Sequence, residues 1–294
     1  MRRADGQALF AAWQAARKRG LNNRAAALDA DVSEAQLLAS GCGRGVTRLD
    51  GDFLELLASV PELGELKSVV RNAFAVLERT GSVVSLENDG RSTLIHGDTF
   101  LLRSEVGEWT RGFALTEQGK YGIKRSIQFF TDAGVSAAKL FLTVRSNQTV
   151  YQSLVQKFTS ANQDDVERDI AAAEVAGRSE RAQWSSGFLG DCLFAASRLA
   201  MPVEVKVAND CAFQTTIKTL ERIKRSERRG WINVLDDGLD LHLHEARIEF
   251  VQVSGAGDAA TLHWYADDGN EALSMRVESC GAEWAAAAIG LENR

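Results

Sequence analysis

The sequence predicts an α+β fold made of two tandem repeats, each with a large antiparallel sheet and packed helices. The prediction rests on a helical N-terminal region, on the strand-rich blocks that follow it, and on a similarity between those blocks. The chain has 294 residues, which is more than one hydrophobic core usually fills. We therefore expect an N-terminal repeat at 1–160 and a C-terminal repeat at 161–294.

The N-terminal region has the pattern of amphipathic helices. Residues 7–70 are rich in Ala and Leu, and apolar residues recur at the helical period, as in Leu9, Phe10 and Trp13. Either Asp31 or Ser33 could cap a helix there, because both side chains accept hydrogen bonds from free backbone N–H groups. We expect helices throughout these residues.

From residue 72 onward, short runs of β-branched and aromatic residues alternate with Gly and Asp. The run at 126–130, followed by Thr-Asp-Ala-Gly at 131–134, has the chemistry of a β-hairpin. A second helical stretch is expected from Tyr151 to about Arg198. A second strand-rich block then runs from Val203 to Val277.

The two strand-rich blocks align with each other in two places. Residues 97–103 match 237–242, with Arg103 opposite His242, and residues 127–134 match 262–269 at a shared turn. The segments between the two matches differ in length by only a few residues. The common order and spacing favour an internal duplication.

Composition excludes several classes of protein. The net charge of −6 argues against a broad surface for nucleic acid or anionic lipid, and the basic run at 222–229 is best interpreted as a solvated face. The start of the chain has no apolar leader, and no stretch is long enough to span a membrane. The four cysteines form no C-x-x-C pair and are expected to be reduced thiols. These features predict a cytoplasmic protein.

Several motifs together resemble the bacterial haemin-degrading and haemin-transport factor family. They are Arg-Ala-Ala-Ala-Leu at 24–28, Val-Ser-Glu-Ala-Gln-Leu-Leu-Ala-Ser at 32–40, Val-Thr-Arg-Leu-Asp-Gly-Asp at 46–52 and Pro-Glu-Leu-Gly-Glu at 61–65. The most specific match is Gly-Trp-Ile-Asn-Val-Leu-Asp-Asp-Gly-Leu-Asp-Leu-His-Leu at 230–243. The resemblance spans roughly 24–284.

The resemblance implies a cytosolic protein of two tandem repeats that binds one haem in a cleft. Family members pass the haem to a haem oxygenase or help to open its ring, so a haem oxygenase or a haem-uptake protein is the implied partner. Homodimerisation is left open. An arginine of the first repeat faces the haem in the family, and Arg103 occupies its position here.

The family's iron-ligating histidine has no counterpart in this chain. Seven residues after Trp184, where the family has that histidine, stands Asp191, followed by Cys192. A Cys192 thiolate could ligate haem iron, which makes it the candidate metal ligand. The alternative is that Cys192 is a small buried hydrophobe on an apolar helix.

The family's propionate-contacting positions align with Gln252, Arg276 and Ser279, so only Arg276 keeps a cation. Arg103 also has an alternative interpretation as an ion-pair partner of Glu105, two residues along the same strand. The candidate haem-binding residues are therefore Arg103, Asp191, Cys192 and Arg276.

Two other functions are left open by the residues. A degenerate duplicate without cofactor could act as a protein-interaction or regulatory module. His242 and His244 share one strand face and could chelate a metal with His263 nearby. No Gly-x-Ser-x-Gly motif or His-Glu-x-x-His helix is present, so hydrolase motifs give no support.

Overall fold

The computed structural model describes residues 6–119, 122–167, 188–226, 230–255 and 260–277. Its helices are α1 (Gly6–Lys18), α2 (Asn23–Asp29), α3 (Glu34–Ala39), α4 (Phe53–Ala58), α5 (Gln148–Phe158) and α6 (Phe188–Arg198). Its strands are β1 (Val46–Leu49), β2 (Glu65–Arg71), β3 (Ala75–Asn88), β4 (Thr93–Gly97), β5 (Leu101–Ser104), β6 (Arg111–Gly119), β7 (Gly122–Phe130), β8 (Ser136–Leu142), β9 (Pro202–Asn209), β10 (Ala212–Thr219), β11 (Ile223–Ser226), β12 (Trp231–Asp236), β13 (Leu239–Leu243), β14 (Ile248–Ser254), β15 (Thr261–Ala266) and β16 (Glu271–Val277). Neighbouring strands pair antiparallel in a large sheet, which confirms the α+β class.

The chain divides into two compact units. The first holds Met1–Ser68, Ser82–Leu94 and Ser104–Glu174, and the second holds Val69–Gly81, Ile95–Arg103 and Val175–Arg294. Neither unit is a continuous stretch of chain, whereas the two predicted repeats are. The division into repeats at residue 160 stays a prediction.

The first unit packs N-terminal helices against strands β6 and β7. Trp13, Leu37 and Leu38 share a buried cluster with Phe113 of β6 and Phe130 of β7. Helix α3 begins where the sequence indicates, because the Ser33 hydroxyl accepts a hydrogen bond from the Gln36 N–H and the Gln36 side chain accepts one from the Ser33 N–H.

Two segments of the predicted helical region are strands. Strand β1 pairs with β6, and β2 joins the sheet between β8 and β3. Glycines at positive φ, Gly45 and Gly51, flank β1 and interrupt any helix there. The helical expectation was wrong for these residues because pairing with distant strands outweighs local propensity.

The second predicted helical stretch is also interrupted. Helix α5 ends at Phe158, and α6 begins at Phe188. Residues 159–167 are non-helical, with Ser160 donating its N–H to the Arg48 carbonyl. Residues 168–187, which include Trp184, lie outside the described residues. Within the described chain, every helix is too short or too polar to span a bilayer.

The predicted hairpin at 126–134 is confirmed as β7–β8, and its aligned counterpart is the β15–β16 hairpin. Both hairpins carry a register shift at the same aligned position. The pairs on either side are Phe129–Ala138 and Phe130–Ser136 in β7–β8, and Trp264–Leu273 and Tyr265–Glu271 in β15–β16. A β-bulge is a specific feature of a strand pair, so its recurrence supports the predicted duplication.

The second unit encloses its own core. Strands β10, β9, β16, β15 and β14 are neighbours in the sheet in that order. Strand β11 pairs with β12, β12 pairs with β13, and β13 pairs with β3. Helix α6 supplies Phe188, Leu189, Cys192 and Leu193 to the cluster, which also contains Trp264. Every predicted site residue that the structure describes belongs to this unit.

Candidate functional site

Arg103 lies on the exposed side of a tightly turned hairpin. The Gly97 N–H donates to the Phe100 carbonyl, so two residues, Asp98 and Thr99, form the turn between β4 and β5. Along β5, Leu102 is fully buried and Arg103 is exposed, as strand alternation requires. The Arg103 side chain is therefore displayed on the surface of this hairpin. Its pairing with Glu105 stays a prediction.

The turn of this hairpin is fixed by Arg79, which the sequence analysis did not single out. The buried Arg79 side chain donates to the Thr99 carbonyl (3.2 Å) and to the Gly238 carbonyl (2.9 Å). Burial lowers the pKa of Arg79, and nearby carboxylates, Asp98 first among them, act in the opposite direction. Arg79 thereby joins the β4–β5 turn to the β12–β13 turn. No sequence motif marks this role, because its partners are backbone carbonyls.

Asp191 is held in an ion-pair cluster at the first turn of α6. Arg225 Nη2 lies 3.2 Å from Asp191 Oδ1, and Arg225 also contacts Glu245 in bidentate fashion, at 2.8 and 3.0 Å. The Gly190 N–H donates to Glu245 Oε1 at 2.8 Å. A Cβ at Gly190 would overlap both Arg225 and Glu245, so glycine permits their close approach to the helix.

Cys192 is fully buried among the apolar side chains of the second core. Burial raises the pKa of its thiol strongly, and the charge of Asp191 adds to the effect. A protonated thiol without access to solvent fits the buried-hydrophobe interpretation better than the ligand interpretation. Iron ligation by Cys192 stays a prediction that the structure does not support.

Arg276 lies on β16 and pairs with Glu204 of β9, at 2.8 Å from Nε and 2.6 Å from Nη2 to Oε2. Its side chain keeps part of its surface exposed, so the guanidinium could accept a second anion. Gln252 lies on β14 opposite His263. Ser279 lies outside the described residues.

The histidines of the second unit do not converge on one point. His242 Nδ1 lies 2.7 Å from Asn233 Oδ1, and the His244 ring stacks on Trp231 with 4.7 Å between centroids. His263 contacts Ser254 and Glu271. In the part of the chain that the structure describes, no three His, Cys, Asp or Glu side chains are grouped to hold a metal ion. The proposed His242–His244 chelate therefore gains no support.

The first unit contains a cavity of about 530 Å³ beside Trp109 and Phe53. Its other lining side chains include four carboxylates, from Asp50, Asp52, Glu105 and Glu108, and one cation, Arg91. A negatively charged lining disfavours an anionic ligand. The cavity is thus unsuited to a dianionic tetrapyrrole, and the Arg103 hairpin remains the better candidate.

Comparison with known proteins finds a family match for the first part of the chain. Residues 31–158 match the model of the Haemin-degrading HemS.ChuX domain. This segment is similar to that domain in sequence. The match covers most of the first unit's described residues and agrees with the resemblance found in the sequence motifs.

Curated relatives of this part of the chain carry haemin-transport names. The hemin transport protein HmuS of Yersinia pestis is 34% identical over 128 residues, 43% of this chain and 37% of the relative. The hemin transport protein HemS of Yersinia enterocolitica is 32% identical over 146 residues, 49% and 42% of the two chains. The alignments therefore span only about two fifths of these relatives.

Solved structures match the whole chain. Holo-PhuS, a heme-binding protein from Pseudomonas aeruginosa, superposes with a TM-score of 0.82, 26% identity and coverage of 97% of this chain and 98% of PhuS. The heme degrading enzyme ChuS of Escherichia coli O157:H7 gives a TM-score of 0.86 with 21% identity, covering 98% and 99%. At that identity ChuS shares the fold. The rest of the chain is therefore similar in fold to the same solved structures.

Proposed function

We propose that this chain is a cytoplasmic haem-binding protein of haem utilisation, acting in haem trafficking. The observation that carries the proposal is the match to holo-PhuS over 97% of the chain, with a match to the HemS.ChuX domain at 31–158. The exposed Arg103 on the β4–β5 hairpin supports it, since haem presents two propionate carboxylates to a protein.

The residues of this chain fit a haem on one side only. Arg103 offers a cation from the strand side, and Arg276, which pairs with Glu204, offers a second. Helix α6 offers no imidazole, because Asp191 is engaged by Arg225 and the Cys192 thiol is buried. We infer that haem is held mainly from the strand side, with weaker binding than a histidine on α6 would give.

Haem degradation by this chain is the more specific activity within this proposal. When bound, haem supplies the iron at which oxygen is activated, and the axial ligand sets the reactivity of that iron. Because α6 contributes no imidazole, transfer of haem to a haem oxygenase, or receipt from an uptake protein, is favoured over ring opening by this chain. Self-association into a homodimer remains part of the proposal.

Titration of the purified full chain with haemin tests the proposal. We expect a saturable shift of the Soret band at micromolar haemin, and Arg103→Ala should weaken binding by about 10-fold, equivalent to about 1.4 kcal/mol. Arg19→Ala is the matched control, since Arg19 is an exposed arginine paired with Asp29 in the first unit.

A titration without a saturable Soret shift would remove the haem proposal. The alternative would then be a degenerate duplicate that acts as a protein-interaction or regulatory module. The observation that supports this alternative is the ion-paired Asp191, which stands where the family has its haem ligand.

A further inference from the structure

Three polar side chains on the second unit's sheet form a hydrogen-bonded chain that the proposed haem function does not use. Ser254 ends β14, His263 lies on β15 and Glu271 begins β16. Ser254 Oγ is 2.7 Å from His263 Nε2, and His263 Nδ1 is 3.2 Å from Glu271 Oε2. This is the order of nucleophile, base and orienting carboxylate found in serine hydrolases.

The partners fix the role of each atom. A Glu271 carboxylate can only accept a hydrogen bond, so in the neutral imidazole His263 Nδ1 carries the proton and Nε2 keeps its lone pair. Ser254 must therefore donate its hydroxyl proton toward Nε2. This tautomer is the one in which an imidazole can act as a general base toward a serine hydroxyl.

The β-bulge of the β15–β16 hairpin brings Glu271 to this face. Trp264 lies opposite Leu273, so a regular ladder would place Ala272 opposite Tyr265. The register shift places Glu271 opposite Tyr265 instead. Tyr265 and His263 are two residues apart on β15, so Glu271 lies on the same face of the sheet as His263. Bulges commonly redirect a side chain in this way next to functional sites.

The fold itself does not require His263 or Glu271. The β7–β8 hairpin has the same bulge, but Gln128 and Ser136 stand at the positions of His263 and Glu271. Since that hairpin forms with unrelated side chains, folding alone does not explain the histidine and the glutamate of the second hairpin.

We propose that Ser254 is an activated nucleophile that hydrolyses small activated esters. The site is open, with His263 and Glu271 side chains 26% and 35% exposed and Ser254 exposed at the strand end, so a small acyl group can approach. Gly255, at a φ of 76°, follows the nucleophile, and we assign its backbone N–H the role of donor to the developing oxyanion.

The reaction balances with water as the only co-reactant. Ser254 Oγ attacks the acyl carbon while its proton passes to His263 Nε2, and the proton then leaves with the alkoxide or phenoxide as the C–O bond breaks. Water attacks the resulting acyl-serine in the same way. The acid is released, and the serine regains its proton. This activity does not depend on haem binding.

The full chain, purified free of haem, is assayed with p-nitrophenyl acetate and with a fluorophosphonate probe. We expect the probe to label Ser254, as located by peptide mass spectrometry, and Ser254→Ala to abolish both labelling and catalysed hydrolysis. His263→Ala should lower hydrolysis by about 100-fold or more. Glu271→Gln should lower it less, because the carboxylate acts through the imidazole.

His242→Ala is the matched control, since His242 is another strand histidine of this unit and pairs with Asn233. It should keep labelling and hydrolysis at the wild-type level. All three site residues are partly exposed, and thermal unfolding checks that the variants fold. No labelling of Ser254 in the wild type, or hydrolysis unchanged in Ser254→Ala, would overturn the proposal, whatever the outcome of the haemin titration.

Discussion

Arg225 Nη2 lies 3.2 Å from Asp191 Oδ1, so a guanidinium neutralises the carboxylate at the first turn of α6. The same guanidinium is bidentate to Glu245, which accepts the Gly190 N–H. This cluster occupies the helix position where the family resemblance implies an iron-ligating histidine. It gives that position a structural role in joining α6 to β11 and to the segment after β13.

Asp191→His should restore an imidazole at this position. If haem lies against α6, we expect the Soret band of the haemin complex to shift and the Kd to fall by about 10-fold, or about 1.4 kcal/mol. Asp191→Asn is the control, because it removes the same carboxylate without adding a ligand. Identical spectra for the two variants would show that haem does not reach this face of α6.

Gly190→Ala should destabilise the second unit. The added Cβ would displace the charged ends of Arg225 and Glu245, and weakening their charge-assisted hydrogen bonds should cost about 1–3 kcal/mol in the free energy of unfolding. Urea denaturation measures it. Gly107→Ala is the control, since no atom lies within 4 Å of a Cβ built there. Equal midpoints for both variants would contradict the proposed close approach.

The buried ion pair between Lys139 and Glu34 should show strong coupling. Both residues are more than nine-tenths buried, and the pair joins α3 to β8. Lys139→Met alone leaves a buried carboxylate, which should cost about 3–5 kcal/mol. The double variant Lys139→Met with Glu34→Leu should recover most of that loss. A double variant no more stable than the single one would refute the coupling.

Cys192 should be inert in the native protein. Its thiol has no exposed surface and a raised pKa, so little thiolate forms at neutral pH and reagents cannot reach it. Mass spectrometry after brief iodoacetamide treatment should find Cys192 unmodified in native protein and modified after unfolding.

The haemin complex of Cys192→Ala should keep the wild-type spectrum. Leu193→Ala, a neighbouring core truncation, controls for general loosening of the helix. Rapid native alkylation of Cys192, or a changed Soret band in Cys192→Ala alone, would instead favour thiolate ligation.

Local features of the fold could be predicted because neighbouring residues determine them. The capping box at Ser33 and the hairpin turn at 131–134 depend on hydrogen bonds and turn conformations within a few residues. The aligned bulges were not predicted, but the similarity of the two hairpins was.

Other parts of the site could not be predicted, because their partners are distant in the chain. Arg225 meets Asp191 across 34 residues, and Arg79 meets Gly238 across 159. The chain of Ser254, His263 and Glu271 forms only when three strands pair with a shifted register. The spacing of residues along one strand cannot predict such a cluster.

By itself, the sequence determined the α+β class, the main hairpins, the family resemblance and the absence of a histidine at residue 191. Short-range hydrogen bonding and hydrophobic periodicity were enough for these features. Only the tertiary structure decided that β1 and β2 are strands, that Cys192 is buried and that Asp191 is bound by Arg225. Burial, and the free energy of strand pairing or ion pairing, depend on which distant residues the fold brings together.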